Sequence, residues 1–139
     1  MKILTAVCVF ALMVIVSAAW AEAPKRVKFT WSGGEAVAEL NDNAAAESLW
    51  AMLPLTLDFE DFNGTERIAY TDEKISTEGA PASFTPNAGD ITLYAPWGNI
   101  AVFYRPFRES RGLVPLGRFV EGADKISTLG EAVRIEAVK

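Results

Sequence analysis

The stretch that decides the expected fold is Leu116-Gly117-Arg118-Phe119-Val120-Glu121-Gly122-Ala123-Asp124-Lys125-Ile126. Its first residues complete a strand predicted over 113–119. Its last residues begin a short helix predicted over 121–129, and Gly130 suits the left-handed conformation that often ends a helix. A further strand is predicted over 132–138. The stretch therefore joins a strand directly to a short helix near the end of the chain.

Outward from this stretch, apolar residues recur with a period of two, which is typical of half-buried strands. Glycine-rich and Asn-Gly turns divide the strands into hairpins. Six more strands are predicted, at residues 27–31, 36–40, 55–59, 67–71, 91–94 and 100–105. A short helix is predicted over 44–52, because Asn41-Asp42-Asn43 offers N-cap residues and Pro54 ends the helix. Residues 72–88 and 107–112 are predicted loops.

These elements add up to eight strands and two short helices. Eight antiparallel strands can close into a barrel whose interior is just filled by side chains. The predicted fold class is therefore mainly β: a closed eight-stranded barrel, with the two helices covering its open ends.

The order of these segments resembles the cyclophilin-like fold. Leu116 to Ile126 is similar to the cyclophilin stretch in which a strand ending in F-G-K-V-V-E-G leads into the second helix, and Phe103-Tyr104 is similar to the Q-F-F-I strand. A closer resemblance is to small bacterial cyclophilin-like domains of uncharacterised function, over residues 27–138. The motifs that carry it are Leu53-Pro54-Leu55-Thr56-Leu57, Phe62-Asn63-Gly64, Gly89-Asp90-Ile91 with Leu93-Tyr94, and Leu116-Gly117.

The resemblance implies an active face like that of the peptidyl-prolyl isomerases. Phe103 matches the phenylalanine of the proline pocket. The position of the cyclophilin histidine falls near Leu113, and that of the tryptophan falls near Arg108. Neither position carries the cyclophilin residue in this chain. Arg67-Ile68 repeats the dipeptide of the catalytic arginine, one strand later. No catalytic residue is therefore assigned.

Five residues are predicted to bind a ligand on the outer face of the barrel: Phe103, Tyr94, Arg67, Trp97 and Arg105. The expected partner is an extended peptide or a small ligand, bound without efficient catalysis. One alternative is a peptidyl-prolyl isomerase that assists folding in the cell envelope. The other is a barrel that binds a small molecule in its interior.

Three further features have two readings each. The acidic residues Asp58, Glu60 and Asp61 form either a calcium or hydrolytic site or, as the alternation favours, the outward positions of a strand. The arginines of the 105–111 segment form either an anion site or a solvated loop. Trp97 is either a binding anchor or a cap on an open barrel end.

Residues 1–21 are predicted to be a signal peptide that is cleaved after Ala21. Lys2 precedes an apolar run from Ile3 to Val16, and Ala19-Trp20-Ala21 is an A-x-A cleavage site. The alternative, an uncleaved membrane anchor, is disfavoured because a spanning helix needs about 20 apolar residues. The expected location is secreted or periplasmic, with one domain over residues 22–139.

Composition excludes several function classes for the mature domain. Cys8 is the single cysteine and would leave with the signal peptide, and the chain has no histidine. Thiolate and histidine metal sites, cysteine nucleophiles and imidazole catalysis are therefore excluded, and no cofactor or metal is expected. Loss of Lys2 takes the net charge from −5 to −6. An acidic domain does not suit nucleic acid, and no membrane contact is expected after cleavage.

Overall fold

A computed structural model describes residues 3, 11–17 and 22–139 of the chain. The predicted signal peptide and its cleavage site lie mostly outside these residues. Within the described residues, no helix combines the length and the apolar character needed to span a membrane.

The domain is built mainly of antiparallel strands, which confirms the predicted mainly-β class. Residues 22–139 contain eleven strands, one α-helix and one 3₁₀ helix. In chain order they are β1 (Arg26–Trp31), β2 (Gly34–Leu40), α1 (Ala44–Met52), β3 (Leu55–Leu57), β4 (Glu60–Phe62), β5 (Glu66–Tyr70), β6 (Ser83–Phe84), β7 (Asp90–Tyr94), β8 (Asn99–Phe103), β9 (Ser110–Arg111), β10 (Leu113–Glu121), the 3₁₀ helix (Ala123–Thr128) and β11 (Val133–Ala137).

Nine of these strands form one sheet, in the order β3-β11-β1-β2-β10-β7-β8-β5-β4. The sheet curls into a half-barrel whose two outer strands, β3 and β4, are not paired with each other. The prediction of a closed eight-stranded barrel is therefore wrong. The two remaining strands, β6 and β9, pair with each other outside this sheet.

Asp58 and Phe59 interrupt the strand that was expected over 55–59, so that β3 and β4 are separate strands at opposite edges of the sheet. The backbone N–H of Phe59 donates to the carbonyl of Gly130 at 2.8 Å. The carboxylate of Asp58 accepts from the N–H of Ala132, also at 2.8 Å. These two bonds hold the break against the turn before β11. β3 therefore stays beside β11, while β4 leaves to pair with β5.

The concave side of the sheet holds the larger hydrophobic core. Residues from distant strands, such as Phe29 on β1 and Val102 on β8, belong to the same buried cluster. Only the inside of a curl can bring strands so far apart in the sheet into one cluster. Leu49 of α1 and Leu129 after the 3₁₀ helix are fully buried in it. Buried side chains from the strands and from both helical segments thus pack together on the inside of the half-barrel.

Both predicted helices are present, with different geometry. The first is confirmed as α1, and the side chain of Asn43 accepts from the N–H of Ala46 at 2.9 Å as its N-cap. The second is a 3₁₀ helix over Ala123–Thr128, and it begins later than predicted because β10 continues to Glu121. Gly130 does not adopt the predicted left-handed conformation; Ala132 does, with φ of 53°.

Candidate ligand-binding site

A second, smaller hydrophobic cluster lies on the convex face of the sheet. Side chains alternate along β8, so Ala101 and Phe103 face outward while Val102 faces the main core. Ile68 and Leu113 complete the buried part of this outer cluster. Because partly buried aromatic residues pack around it, the outer face carries an apolar surface of its own.

A pocket of about 430 Å³ opens on this surface. Its size suits a small molecule or one or two residues of a peptide, at the lower end of ordinary ligand pockets. The lining residues come from three segments around the end of β8 and its neighbours. They are Phe62, Asn63, Thr65, Glu66, Tyr94, Trp97, Phe103, Phe107, Arg108, Glu109, Ser110, Arg111 and Leu113.

The turn between β7 and β8 positions Trp97. Gly98 closes this turn with φ of 71°, and its N–H donates to the carbonyl of Tyr94 at 2.8 Å. Pro96 packs against Gly112, where an added Cβ would lie 2.7 Å from the proline ring. The turn is therefore fastened to the segment before β10, and the indole of Trp97 is 52 % exposed at the pocket.

The turn between β4 and β5 positions Phe62, and Asp61 holds that turn. The Asp61 carboxylate accepts from the Tyr104 hydroxyl at 2.6 Å and from the N–H of Gly64 at 2.9 Å. The guanidinium of Arg67 lies 3.6 Å away. The Tyr104 bond is the largest of several causes that lower the pKa of Asp61, and the same bond raises the pKa of Tyr104. Because side chains alternate, Phe62 points to the pocket side.

Three aromatic rings form a continuous series along one side of the pocket. The ring of Phe62 meets that of Trp97 at 5.4 Å and 88°. Tyr94 meets the same indole at 5.5 Å and 81°. Both contacts are edge-to-face pairs, the geometry that the ring quadrupoles favour. We refer to Phe62, Tyr94 and Trp97 as the aromatic triad.

Glu66 is the acidic group beside the triad. It lies opposite Phe62 in the β4–β5 pair and opposite Phe103 in the β5–β8 pair. Burial raises the pKa of Glu66, and the nearby charge of Asp61 raises it further. The pocket therefore contains a partly desolvated carboxyl group between two aromatic side chains.

The segment 107–111 supplies five of the thirteen lining residues. Phe107 stacks on Phe103 at 6.3 Å, and the guanidinium of Arg108 lies 4.7 Å from the centre of the Phe107 ring. The hydroxyl of Ser83 donates to the carboxylate of Glu109. β6 and β9 pair here, so the predicted loops 72–88 and 107–112 each contain a short strand. Within residues 22–139, neither Arg108 nor Arg111 forms an ion pair.

The structure brings three of the five predicted binding residues together. Phe103, Tyr94 and Trp97 all line the pocket. Arg67 pairs with Val102 across the sheet, so it lies on the other face, where its Nε donates to the carbonyl of Leu129 at 2.7 Å. Arg105 is exposed outside the pocket, beside the ring of Tyr104.

Sequence reasoning did not select Phe62, Glu66 or Phe107. A signal for Phe62 was available, because it is a large apolar residue between the acidic segment 58–61 and the Asn63-Gly64 turn. The acidic residues Asp58 and Asp61 hold turns rather than surround a cation. Among the described residues, no group of acidic side chains is arranged to hold a metal ion.

Comparison with known proteins identifies the family. The model of the Cyclophilin-like family matches residues 29–137, which is most of the chain. The chain belongs to the cyclophilin-like family. This match confirms the resemblance that the motifs carried.

A solved structure supports the same fold for this cyclophilin-like domain. The solution structure of the hypothetical protein AF2241 from Archaeoglobus fulgidus matches with a TM-score of 0.65 and 18 % identity. The match covers 83 % of this chain and 95 % of the archaeal one. At that identity it shows the fold alone. No curated protein matches the chain.

Two family positions fall in the pocket of the cyclophilin-like domain. The resemblance put the cyclophilin tryptophan near Arg108 and the histidine near Leu113, and both residues line the pocket together with Phe103. The outer pocket thus coincides with the face on which the resemblance implied an active site, with different side chains at two of its positions.

Proposed function

We propose that this cyclophilin-like domain is exported and binds an extended peptide or a small ligand in the outer pocket, without efficient catalysis. The observation that carries the proposal is the pocket of about 430 Å³ on the convex face. Five of its thirteen lining residues are aromatic and seven are polar or charged, so the pocket offers both apolar contact and groups that can orient a ligand. Phe103 at its base is buried, and Trp97 at its mouth is half exposed.

The surroundings of Arg67 support binding rather than turnover. Prolyl isomerisation has a barrier of about 18–20 kcal/mol, and an enzyme lowers it by binding the twisted amide more tightly than the planar one. An arginine beside the proline pocket would supply that preference. Arg67 is instead engaged with the carbonyl of Leu129 and with Asp61, on the other face of the sheet.

The binding proposal is tested by titrating the ¹⁵N-labelled protein with N-acetyl-Ala-Ala-Pro-Ala-amide, a neutral peptide. We expect the indole N–H signal of Trp97 to shift, and we expect Trp97→Ala to weaken binding. Tyr70→Ala is the matched control, because Tyr70 is equally exposed but lies outside the pocket lining. Shifts that persist unchanged in Trp97→Ala, or that follow Tyr70, would contradict the proposed site.

A peptidyl-prolyl isomerase remains the second candidate, favoured by one observation. Arg108 and Arg111 both line the pocket that contains Phe103, and a guanidinium there could hydrogen-bond a twisted amide. A protease-coupled assay with a proline peptide tests this function. If the domain is an isomerase, Arg108→Ala or Arg111→Ala should lower kcat/KM. Arg118→Ala is the control and should not lower it, because Arg118 is exposed on β10 and lies outside the pocket lining. The binding proposal expects no acceleration by the unmodified protein.

Export has its own test. The full chain is expressed in a bacterium, and the cells are separated into cytoplasm, envelope and medium. Mass spectrometry then gives the mass of the protein in the envelope or the medium. We expect a form that begins at Glu22. Ala21→Trp replaces the small residue at the cleavage site and should leave the precursor uncut. Recovery of the uncut chain from the cytoplasm in both cases would overturn this part of the proposal.

A further inference from the structure

We propose that the aromatic triad and Glu66 form a binding site for an organic cation, either a quaternary ammonium group or the basic side chain of a peptide. The inference rests on the proposed binding function and assigns the chemical class of ligand to that pocket. It follows from the arrangement of the rings, the position of the carboxyl group and the charge balance of the lining residues.

The contacts within the triad leave most of its ring faces uncovered by the other two rings. An edge-to-face contact covers one face of one ring, so the two contacts of Trp97 cover two of the six faces in the triad. Phe62 and Trp97 are 39 % and 52 % exposed. Ring faces carry the negative part of the aromatic quadrupole and attract cations. Several rings around one space are the arrangement that binds alkylated ammonium groups.

Glu66 distinguishes a cation from a neutral apolar ligand. Its carboxyl group lines the same pocket, next to Phe62 in the β4–β5 pair. A neutral ligand would bury this carboxylate without a partner, which is costly. A cation would pair with it in the same partly desolvated space. The carboxylate therefore favours positively charged ligands over neutral ones of equal shape.

The arginines of the pocket do not exclude a cation from the triad. The charged lining residues are two acids, Glu66 and Glu109, and two arginines, Arg108 and Arg111. Arg108 has its own aromatic partner in Phe107, at 4.7 Å. No arginine lies over a ring of the triad among the cation–aromatic contacts of residues 22–139. A cation already lies on one ring of this pocket, which shows that its environment accepts such a contact.

Calorimetry with matched probes tests the inference. Choline is compared with 3,3-dimethylbutanol, which has the same shape without the charge. The peptides N-acetyl-Ala-Lys-Ala-amide, with and without trimethylation of the lysine, are compared with the norleucine peptide. We expect each cation to bind about tenfold more tightly than its neutral counterpart, in line with a cation–aromatic contact plus a carboxylate. If choline binds and the peptides do not, the ligand is a free ammonium compound. If the lysine peptides bind more tightly than choline, the ligand is a peptide.

Two variants assign the preference to the site. Trp97→Ala should lower the affinity for choline about tenfold, and Glu66→Gln, which keeps the side-chain shape, should reduce the preference for the cation over its isostere to about threefold or less. Tyr70→Ala should leave both values unchanged. The cation should also lower the pKa of Glu66 in a carbon-13 titration, whereas a neutral ligand that buries it should raise that pKa further.

The outcomes separate this inference from the proposed function. Equal binding of cations and isosteres, with loss of both in Trp97→Ala, would overturn the cation site and leave a general binding pocket. Binding of cations that is insensitive to Trp97→Ala and Glu66→Gln would also overturn it. Absence of binding by every probe, including the neutral proline peptide, would overturn both proposals. Asp61 is the charged group that raises the pKa of Glu66 besides burial, and Arg108, Glu109 and Arg111 line the same pocket, so the titration is repeated in Asp61→Asn.

Discussion

Replacing Gly117 by alanine should destabilise the domain, because β2 and β10 approach each other closely at this residue. An added Cβ would lie 2.3 Å from the carbonyl oxygen of Glu39 and 3.0 Å from the Cα of Leu40. Both atoms belong to the backbone of β2, so no side-chain rotation relieves the contact. Since ordinary contact begins near 3.4 Å, one strand must move by about 1 Å.

The size of the effect follows from this displacement. Forcing extra volume into a packed region costs about 1–3 kcal/mol. The shift would also disturb the bond from the N–H of Asn41 to the carbonyl of Leu116, now 2.9 Å long, which adds about 1 kcal/mol. Alanine reduces the freedom of the unfolded chain, which gives back about 0.4–1 kcal/mol. We therefore expect a net loss of about 2 kcal/mol or more.

Gly130→Ala is the matched control, because the nearest atom to its added Cβ is the carbonyl oxygen of Thr128, at 3.7 Å. Both substitutions change the unfolded chain in the same way, so their difference isolates the clash. Urea unfolding, followed by far-ultraviolet circular dichroism, gives the two free energies of unfolding. A difference under about 0.5 kcal/mol, within the range of ordinary surface substitutions, would refute the reasoning.

Three further predictions concern hydrogen bonds. Tyr104→Phe should bring the pKa of Asp61 back up towards its ordinary value in a carbon-13 titration, since the tyrosine hydroxyl is the largest cause of the lowering; an unchanged pKa would contradict this. Asn43→Ala should lower the free energy of unfolding in urea by about 1–2 kcal/mol, because α1 loses its N-cap. An unchanged free energy would show that the cap does not stabilise the domain. Thr92→Val should cost about 1 kcal/mol by the same assay, because its buried hydroxyl donates to the carbonyl of Ala101 at 2.9 Å, and a gain in stability would argue against that bond.

The parts of the fold that sequence reasoning predicted depend on neighbouring residues. The Asn63-Gly64 turn joins two strands that are adjacent in sequence, and the Asn43 cap directly precedes the helix that it begins. The break at Asp58 and Phe59 depends instead on bonds to the turn before β11, more than 70 positions away along the chain. The pairing of β6 with β9 rests on two residues from each of two loops. Alternation within a short window carries no information about either contact.

The candidate site likewise combines residues that the sequence predicts with residues whose position depends on distant strand pairing. Phe103 is predicted from its match to the phenylalanine of the proline pocket, and Tyr94 lies on the same predicted hairpin. The prediction also groups Arg67 with Phe103, although the pairing of Glu66 with Phe103 puts the arginine on the opposite face of the sheet. That pairing joins strands more than 30 residues apart. A shift by one position would have exchanged the two faces, so the register of β5 against β8 decides which of the two side chains reaches the pocket.

The same register explains why a ligand site lies outside the curl rather than within it. Every second residue of β8, such as Ile100 and Val102, is fully buried in the main core. That core also receives α1 and the residues around the 3₁₀ helix, so a ligand inside the half-barrel would have to displace packed side chains. The outward residues of the same strand, Ala101 and Phe103, are also buried, beneath a cover that includes Tyr94 and Phe107. The outer pocket is lined by these two covering residues and by Phe103 at its base, so it lies on the convex side of the strand.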